Sequence, residues 1–214
     1  MGHDAQTCHA SSPFKMIPFI TSFLLWAVLH SFTASQKCKD LVRQRVGDIG
    51  YHASYRFVYN VIAVLSILPV FYFYWSLPDM TFWRVPSPWP WLMISLQVIG
   101  LIGAAVSVIQ TDALSFIGLR QLLDPQAAQN KAGLGETLYI VGLYRWMRHP
   151  LYTFSMMILW FSPIMTRNTL IFNLLATSYF IFGSIIEERR LTADFGQAYI
   201  DYQAAVPRFL PKIK

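Results

Sequence analysis

Two short stretches hold the residues best suited to chemistry. The first is Arg148-His149-Pro150, with Tyr152 close behind. A residue before proline avoids the helical region and proline suits the first helical position, so His149 belongs at or just before a helix N-terminus. Unpaired backbone N–H groups and the positive end of the helix dipole converge there, and Arg148 adds a full positive charge. Such a place holds an anionic group, a carboxylate or a phosphate, and Tyr152 at the third helical position can close over it. The competing reading is an interfacial anchor, with Arg and His among lipid headgroups and Tyr in an aromatic belt.

The second stretch begins with Glu187-Glu188, where an apolar run ends. Glu187, Leu191, Phe195, Ala198 and Tyr202 share one face at helical spacing, with Tyr199 beside it. A buried acid at a membrane border needs a partner, and Arg148 is the obvious one. Together the two stretches offer a positive place for a carboxylate and a negative one for a ribose hydroxyl or an ammonium group. Here the competing reading is a set of surface salt bridges that close a hairpin.

The elements that must position these residues are apolar. Of the 214 residues 55% are hydrophobic and only 13% charged, against roughly 25% charged in a soluble domain. Mean hydropathy is +0.40. The chain reads as an all-α integral membrane protein embedded in the lipid bilayer. The length suits one domain. Five apolar runs are candidate spans, at 16–34, 55–77, 89–110, 151–165 and 169–186. The last two are joined by little more than Thr166-Arg167-Asn168, so they form a helical hairpin, and each is near the lower length limit for a core about 30 Å thick. Pro69 is placed to kink the second span. Gly100, Gly103, Ala104 and Ala105 in the third permit close helix packing. The segment 78–88, rich in Pro and aromatic residues, reads as an interfacial turn. These runs divide the chain into a flexible tail (1–15), a three-helix substrate-side region (16–110) and a cofactor-binding region with the hairpin and a tail (111–214).

Charge orients this arrangement. With five crossings, the basic connector 36–54, the segment 111–148 and the C-terminal tail lie on one side, which then carries 14 of the 17 Lys and Arg residues, Lys131, Lys212 and Lys214 among them. The positive-inside rule makes that side cytosolic, the membrane being the cytoplasmic one in a bacterium. The net charge of +6 is thereby explained without nucleic acid, and no obligatory protein partner is evident. Cys8 and Cys38 are too few for a disulfide framework or a usual zinc site, so no metal is expected.

The pattern Gly142-Leu-Tyr144, Arg148-His149-Pro150, Tyr152, Glu187-Glu188, Leu191, Phe195-Gly196, Tyr199, Tyr202, Val206-Pro207 and Pro211 resembles the isoprenylcysteine carboxyl methyltransferase superfamily, membrane enzymes that use S-adenosylmethionine. Upstream, Leu29-His30-Ser31, Ala34-Ser35, Tyr55-Arg56, Phe116-Ile-Gly-Leu-Arg120-Gln121 and Pro163-Ile-Met-Thr166 are similar to its nurim-like branch, which includes the methanethiol S-methyltransferases. The resemblance implies S-adenosylmethionine as cofactor. Gly142, Tyr144, Arg148, His149, Pro150 and Tyr152 would hold it, Glu187 and Glu188 would engage its polar groups, and Tyr199 and Tyr202 would cover it. Ala204-Ala205 stands where the prenyl-carboxylate enzymes are expected to carry a basic residue before the Val-Pro pair; Arg208, just after it, is a candidate replacement.

The implied reaction is direct methyl transfer to a small lipophilic substrate, foremost a thiol. The methyl donor is already electrophilic, so alignment and exclusion of water carry most of the catalysis. Arg120 or Arg145 would favour a thiolate, and His30 and Gln121 are candidates for the substrate end; no catalytic residue is named. For His30, a hydrogen bond between helices is an equally good reading. The branch also resembles zeta-carotene isomerase, in which case His30 and His149 would be haem ligands, and the silent structural membrane protein nurim. A prenylcysteine carboxylate or a lipid remains the alternative acceptor.

Overall fold

The computed structural model describes residues 16–124, 138 and 140–211. The tail 1–15 with Cys8, and Lys131, Lys212 and Lys214 of the charge count, lie outside the described residues. Helix α1 (Ile17–Ala34) begins at a Met-Ile-Pro sequence, where proline costs no hydrogen bond. Ser35 ends it and caps α2 (Gln36–Ser76), accepting a hydrogen bond from the Cys38 amide. The basic connector is therefore helical: α2, 41 residues long, runs back along α1 and is broken where the backbone leaves the helical region at Gly47. The two helices are tied by Trp26 Nε1 donating to the Ala63 carbonyl at 3.2 Å and by Tyr55 OH donating to the Thr33 carbonyl.

A short strand, β1 (Thr81–Arg84), precedes α3 (Trp89–Gln110). Two small helices follow, α4 (Ala113–Ile117) and α5 (Leu119–Leu123). Asn60 of α2 donates to the Phe116 and Ile117 carbonyls and Arg56 to that of Ser115, which pins this corner to α2. A single 3-10 turn, Gly142–Arg145, leads into α6 (Pro150–Trp160). Strand β2 (Ile164–Thr166) pairs antiparallel with β1, matching Trp83 with Met165 and Arg84 with Ile164. The last helices are α7 (Arg167–Phe195) and α8 (Gln197–Ala205).

Four of these helices, α1, α2, α3 and α7, are long and apolar enough to cross a membrane. The fourth apolar run, 151–165, behaves differently. Its helix has only 11 residues, about 16 Å of rise, roughly half the hydrocarbon thickness. The rest of the path is extended and satisfies its backbone groups by pairing with β1, together with Val85 N–H donating to the Pro163 carbonyl at 2.9 Å. Chain 150–166 thus keeps pace with α3 using half a helix and a short strand.

Packing is inside-out. Leu25, Val28, Phe32, Leu65, Trp75, Leu101 and Phe182 are exposed, while Ser107, Asn168, Asn173 and Ser184 are fully buried. A soluble protein reverses this, so the exposed belt is the lipid-facing surface of a multi-pass integral membrane protein. Asn173 donates to the Leu159 carbonyl at 2.8 Å, and Asn168 donates to those of Tyr74 and Leu77, so buried amides fix α7 against its neighbours. Small residues do the same for α3 and α6: a Cβ on Gly103 would come within 2.5 Å of the Phe154 ring. Gln97 Nε2 adds a 2.8 Å bond to the Ile158 carbonyl.

Candidate functional site

The head of α6 and the far end of α7 meet, as the sequence suggested. His149 is the N-cap residue of α6, outside the helical region, and Pro150 is the first helical residue. The segment is docked by its backbone: Arg148 N–H donates to the Pro207 carbonyl at 2.9 Å and His149 N–H to that of Arg208 at 3.0 Å. One of the donors that a helix start leaves unpaired, the His149 N–H, is thus bound by the C-terminal segment, which reduces what this helix end has left for an anion.

Glu188 is the centre of the junction. Its Oε1 accepts from Arg148 Nε at 2.8 Å, Arg208 Nε at 3.1 Å and His149 Nε2 at 3.1 Å. Its Oε2 accepts from Arg208 Nη2 at 2.6 Å and Gln203 Nε2 at 3.2 Å. Arg148 Nη1 also donates to the Gln203 and Val206 carbonyls at 2.8 and 2.5 Å. Burial pushes the Glu188 carboxyl up, but the hydrogen bonds and charges of Arg208 and Arg148 outweigh it and hold the group at about 2. This lies beyond the apolar part of α7, 169–186. Arg148 and Glu188 therefore neutralise each other. The positive place anticipated at Arg148 is already filled by protein, and Arg208, a third exposed, has an Nη1 with no partner among the described residues.

Glu187 has the opposite character. Its side chain is 37% exposed, its Oε2 accepts from Tyr152 OH at 3.0 Å and faces His149 Nδ1 at 3.6 Å, and its Oε1 has no partner among the described residues. The Tyr152 ring stacks parallel on His149 at 5.3 Å and 3°, and on Phe180 of α7 at 5.2 Å. His149 is held below its ordinary value by burial, the largest influence, against the raising effects of Glu187 and Glu188. Both its nitrogens are turned to carboxylates. Tyr144 is pushed up to about 12 by burial and by the Glu187 charge. On the other face of α7, Glu188, Arg189, Thr192, Gln203 and Arg208 line an open cleft of about 340 Å³.

Other expected site residues serve the scaffold. The single face running from Glu187 to Tyr202 does not exist, because Gly196, with φ 58°, ends α7 and redirects the chain into α8. Tyr199 and Tyr202 are buried with Val206 against Ile140, Leu191 and Phe195, and Tyr202 OH donates to the Tyr144 carbonyl at 2.5 Å. Gly142, at φ 53°, presses on Gln110, whose Oε1 accepts from Leu143 N–H at 3.0 Å; a Cβ there would come within 2.5 Å of the Gln110 amide carbon. Arg120 bridges to Asp112 at 3.0 Å, Gln121 donates to the Ser115 carbonyl at 3.2 Å and Arg145 to that of Ile140 at 3.4 Å. None of these three is brought to Glu187. His30 pairs with Tyr59 across α1 and α2. Among the described residues no group of His, Cys, Asp or Glu could hold a metal ion. Sequence reasoning missed Gln110 and Gln203; a polar residue at the end of an apolar run was the available signal for Gln110, and Gln203 gave none.

The fold and junction define a multi-pass, all-helical membrane protein in which an acid pair at the end of one helix is gathered to an Arg-His-Pro helix start. Compared with known proteins, residues 18–162 match the NnrU protein family, and the chain belongs to that family. It is similar to a protein named methanethiol S-methyltransferase 2 of Bradyrhizobium diazoefficiens, at 30% identity over 161 residues, 75% of this chain and 61% of that protein. The methanethiol S-methyltransferase of Pseudomonas deceptionensis is 29% identical over 208 residues, 96% of this chain and 76% of the relative. That of Mycobacterium tuberculosis is 29% identical over 188 residues, 87% and 74% respectively. The chain thus spans roughly three fifths to three quarters of these relatives' own length. No solved structure matches it. The likeness to the membrane methyltransferase branch is borne out, and the Pseudomonas alignment is long enough to include both His149 and Glu187.

Proposed function

We propose that the protein is an S-adenosylmethionine-dependent methyltransferase of the membrane, acting on a small thiol, with its cofactor site at the junction of α6 and α7. The observation that carries this reading is Glu187: beside Glu188, whose two oxygens are both bound by protein, it keeps one carboxylate oxygen without a partner among the described residues. The names of the relatives supply the reaction class, and the thiol is taken from those names.

The residues present fit such a cofactor. Glu187 Oε1 has no partner among the described residues, so it can receive a ribose hydroxyl or an ammonium group. Arg208 Nη1 has no partner among the described residues, and Arg208 lines the cleft with Arg189 and Gln203, a donor set suited to a carboxylate. Bound there, S-adenosylmethionine supplies an electrophilic methyl group. The protein's part is to orient and to exclude water. Tyr152 is fixed on three sides by Glu187, His149 and Phe180, so its ring is a rigid wall between the junction and the membrane interior. Glu188, Arg148 and Gln203 hold α7 and the 203–208 segment in register and act as positioning residues. The basic end of the molecule faces the cytosol in this reading, where a nucleoside cofactor is available, by the same charge asymmetry as above.

The test is a transfer assay. Purified protein in detergent or nanodiscs, given methyl-labelled S-adenosylmethionine and methanethiol, is expected to release labelled dimethyl sulfide into the headspace. Label transferred to a prenylcysteine carboxylate or to a lipid but not to methanethiol would replace the acceptor. A haem band in the purified protein's spectrum would replace the whole reading.

A further inference from the structure

Beneath Glu187, toward the bundle interior, four helices bring polar aromatic side chains to one place. Tyr59 OH of α2 lies 2.7 Å from His30 Nε2 of α1. Trp26, one turn away, stacks on the His30 ring at 5.2 Å and 19°. Tyr179 of α7 stands edge-on to His30 at 6.1 Å, and its hydroxyl meets Ser31 Oγ at 3.3 Å. Tyr152 of α6 stacks on Phe180, the residue that follows Tyr179 in α7, while its hydroxyl donates to Glu187. Tyr179 precedes Glu187 by two helical turns, about 12 Å of rise. The cluster therefore lies one layer below the junction, with Tyr152 between the two.

Three features distinguish the cluster from interhelical glue. The outer surfaces of α1 and α2 are apolar, with Leu25, Val28, Leu65 and Leu68 exposed, whereas His30, Tyr59 and Tyr179 are half-buried, so these three serve one another or a ligand. Their pairing is incomplete: the one Tyr59 hydroxyl faces both His30 nitrogens, at 2.7 and 3.4 Å, and neither nitrogen has another partner among the described residues. One nitrogen thus keeps hydrogen-bonding capacity where water is scarce. Finally, an apolar cleft of about 360 Å³ between α1 and α2, lined by Leu25, Leu29, Ser66, Pro69 and Phe73, opens against Trp26.

We propose that His30, Tyr59 and Tyr179 form the methyl-acceptor subsite, that it takes a small, uncharged, membrane-permeant thiol, and that His30 receives the thiol's proton. This rests on the methyltransferase reading. In the step, the thiol S–H bond breaks as its sulfur bonds to the methyl carbon. The bond from that carbon to the donor sulfonium breaks with its electron pair left on the donor, which becomes a neutral thioether. The proton passes to the free nitrogen of His30. The positive charge moves from sulfonium to imidazolium, so no net charge is created inside the low-dielectric bundle. A preformed thiolate would add one. The proton returns to water as product leaves.

The test uses the full-length protein in nanodiscs. With histidine labelled at its ring carbons, methanethiol alone, without donor, is expected to shift the His30 imidazole signal, assigned as the one lost in His30→Gln. Tyr59→Phe keeps the ring and is expected to raise KM for methanethiol about tenfold. His30→Gln is expected to lower kcat roughly 100-fold and flatten its pH profile. Both variants should bind S-adenosylmethionine within twofold of the unaltered protein. No shift on adding methanethiol, or unaltered kcat/KM in both variants, overturns the subsite. Absence of S-adenosylmethionine binding by the unaltered protein overturns the underlying reading, and the subsite with it.

Discussion

Arg148 Nε and Glu188 Oε1 meet at 2.8 Å with side chains only 10% and 5% exposed, which ties the head of α6 to α7. The neighbouring acid, Glu187, is seven times more open. One position of helical rotation, about 100°, separates a structural acid from one available to a ligand. Adjacent, chemically identical residues thus take different parts because of what packs around each.

Removing one partner of a buried pair leaves the other uncompensated, typically at about 3–5 kcal/mol. Glu188→Ala, which strips Arg148 of its carboxylate, is expected to destabilise the protein on that scale, Arg148→Met less because Arg208 still pairs with Glu188, and Arg148→Met combined with Glu188→Leu to recover part of the Glu188→Ala loss. Thermal unfolding in detergent, followed by tryptophan fluorescence, checks this; equal melting temperatures for all three variants and the unaltered chain contradict it.

Gly103 allows α3 to approach the Phe154 ring. Gly103→Val is expected to cost at least 1–3 kcal/mol by overpacking, and Phe154→Ala in the same chain to reduce that cost. A double-mutant cycle showing no coupling would contradict the contact.

His149 titrates below the ordinary value of 6.5 because it is buried. The unfolded chain therefore takes up a proton first as pH falls, and His149's contribution, complete above about pH 6.5, is lost as pH drops below it. Glu188, held at about 2 against an ordinary 4.5, adds stability that is present above pH 4.5 and is lost between that and about 2. Melting temperature should fall in two stages, and His149→Gln should flatten only the upper one. A profile unchanged by that substitution counts against it.

Much of this architecture was legible in the sequence. The apolar runs, the hairpin turn at 166–168, the glycines of α3 and the meeting of Arg148 with Glu188 all follow from local pattern and the cost of a buried acid. Three features were not legible, each because tertiary structure decides it. The fourth run forms only half a helix, since β1 offers 163–166 a partner for its backbone, and hydropathy does not see pairing. The face from Glu187 to Tyr202 failed because Gly196 interrupts a periodicity that apolar spacing alone carries through. Tyr199 and Tyr202 turned inward because Ile140, from a distant segment, completes their small core. The His30 neighbourhood could be suspected but not assembled, since Tyr59 and Tyr179 are 29 and 149 residues away.

The central claim is that Glu187, not Glu188, contacts the cofactor. Calorimetric titration of S-adenosylmethionine into the purified protein and into Glu187→Gln tests it most directly. Saturable binding to the unaltered protein, weakened at least tenfold in Glu187→Gln with the melting temperature unchanged, is the predicted result; one lost charge-assisted hydrogen bond accounts for about that factor. Equal affinity in both proteins, or no binding to either, would contradict the account.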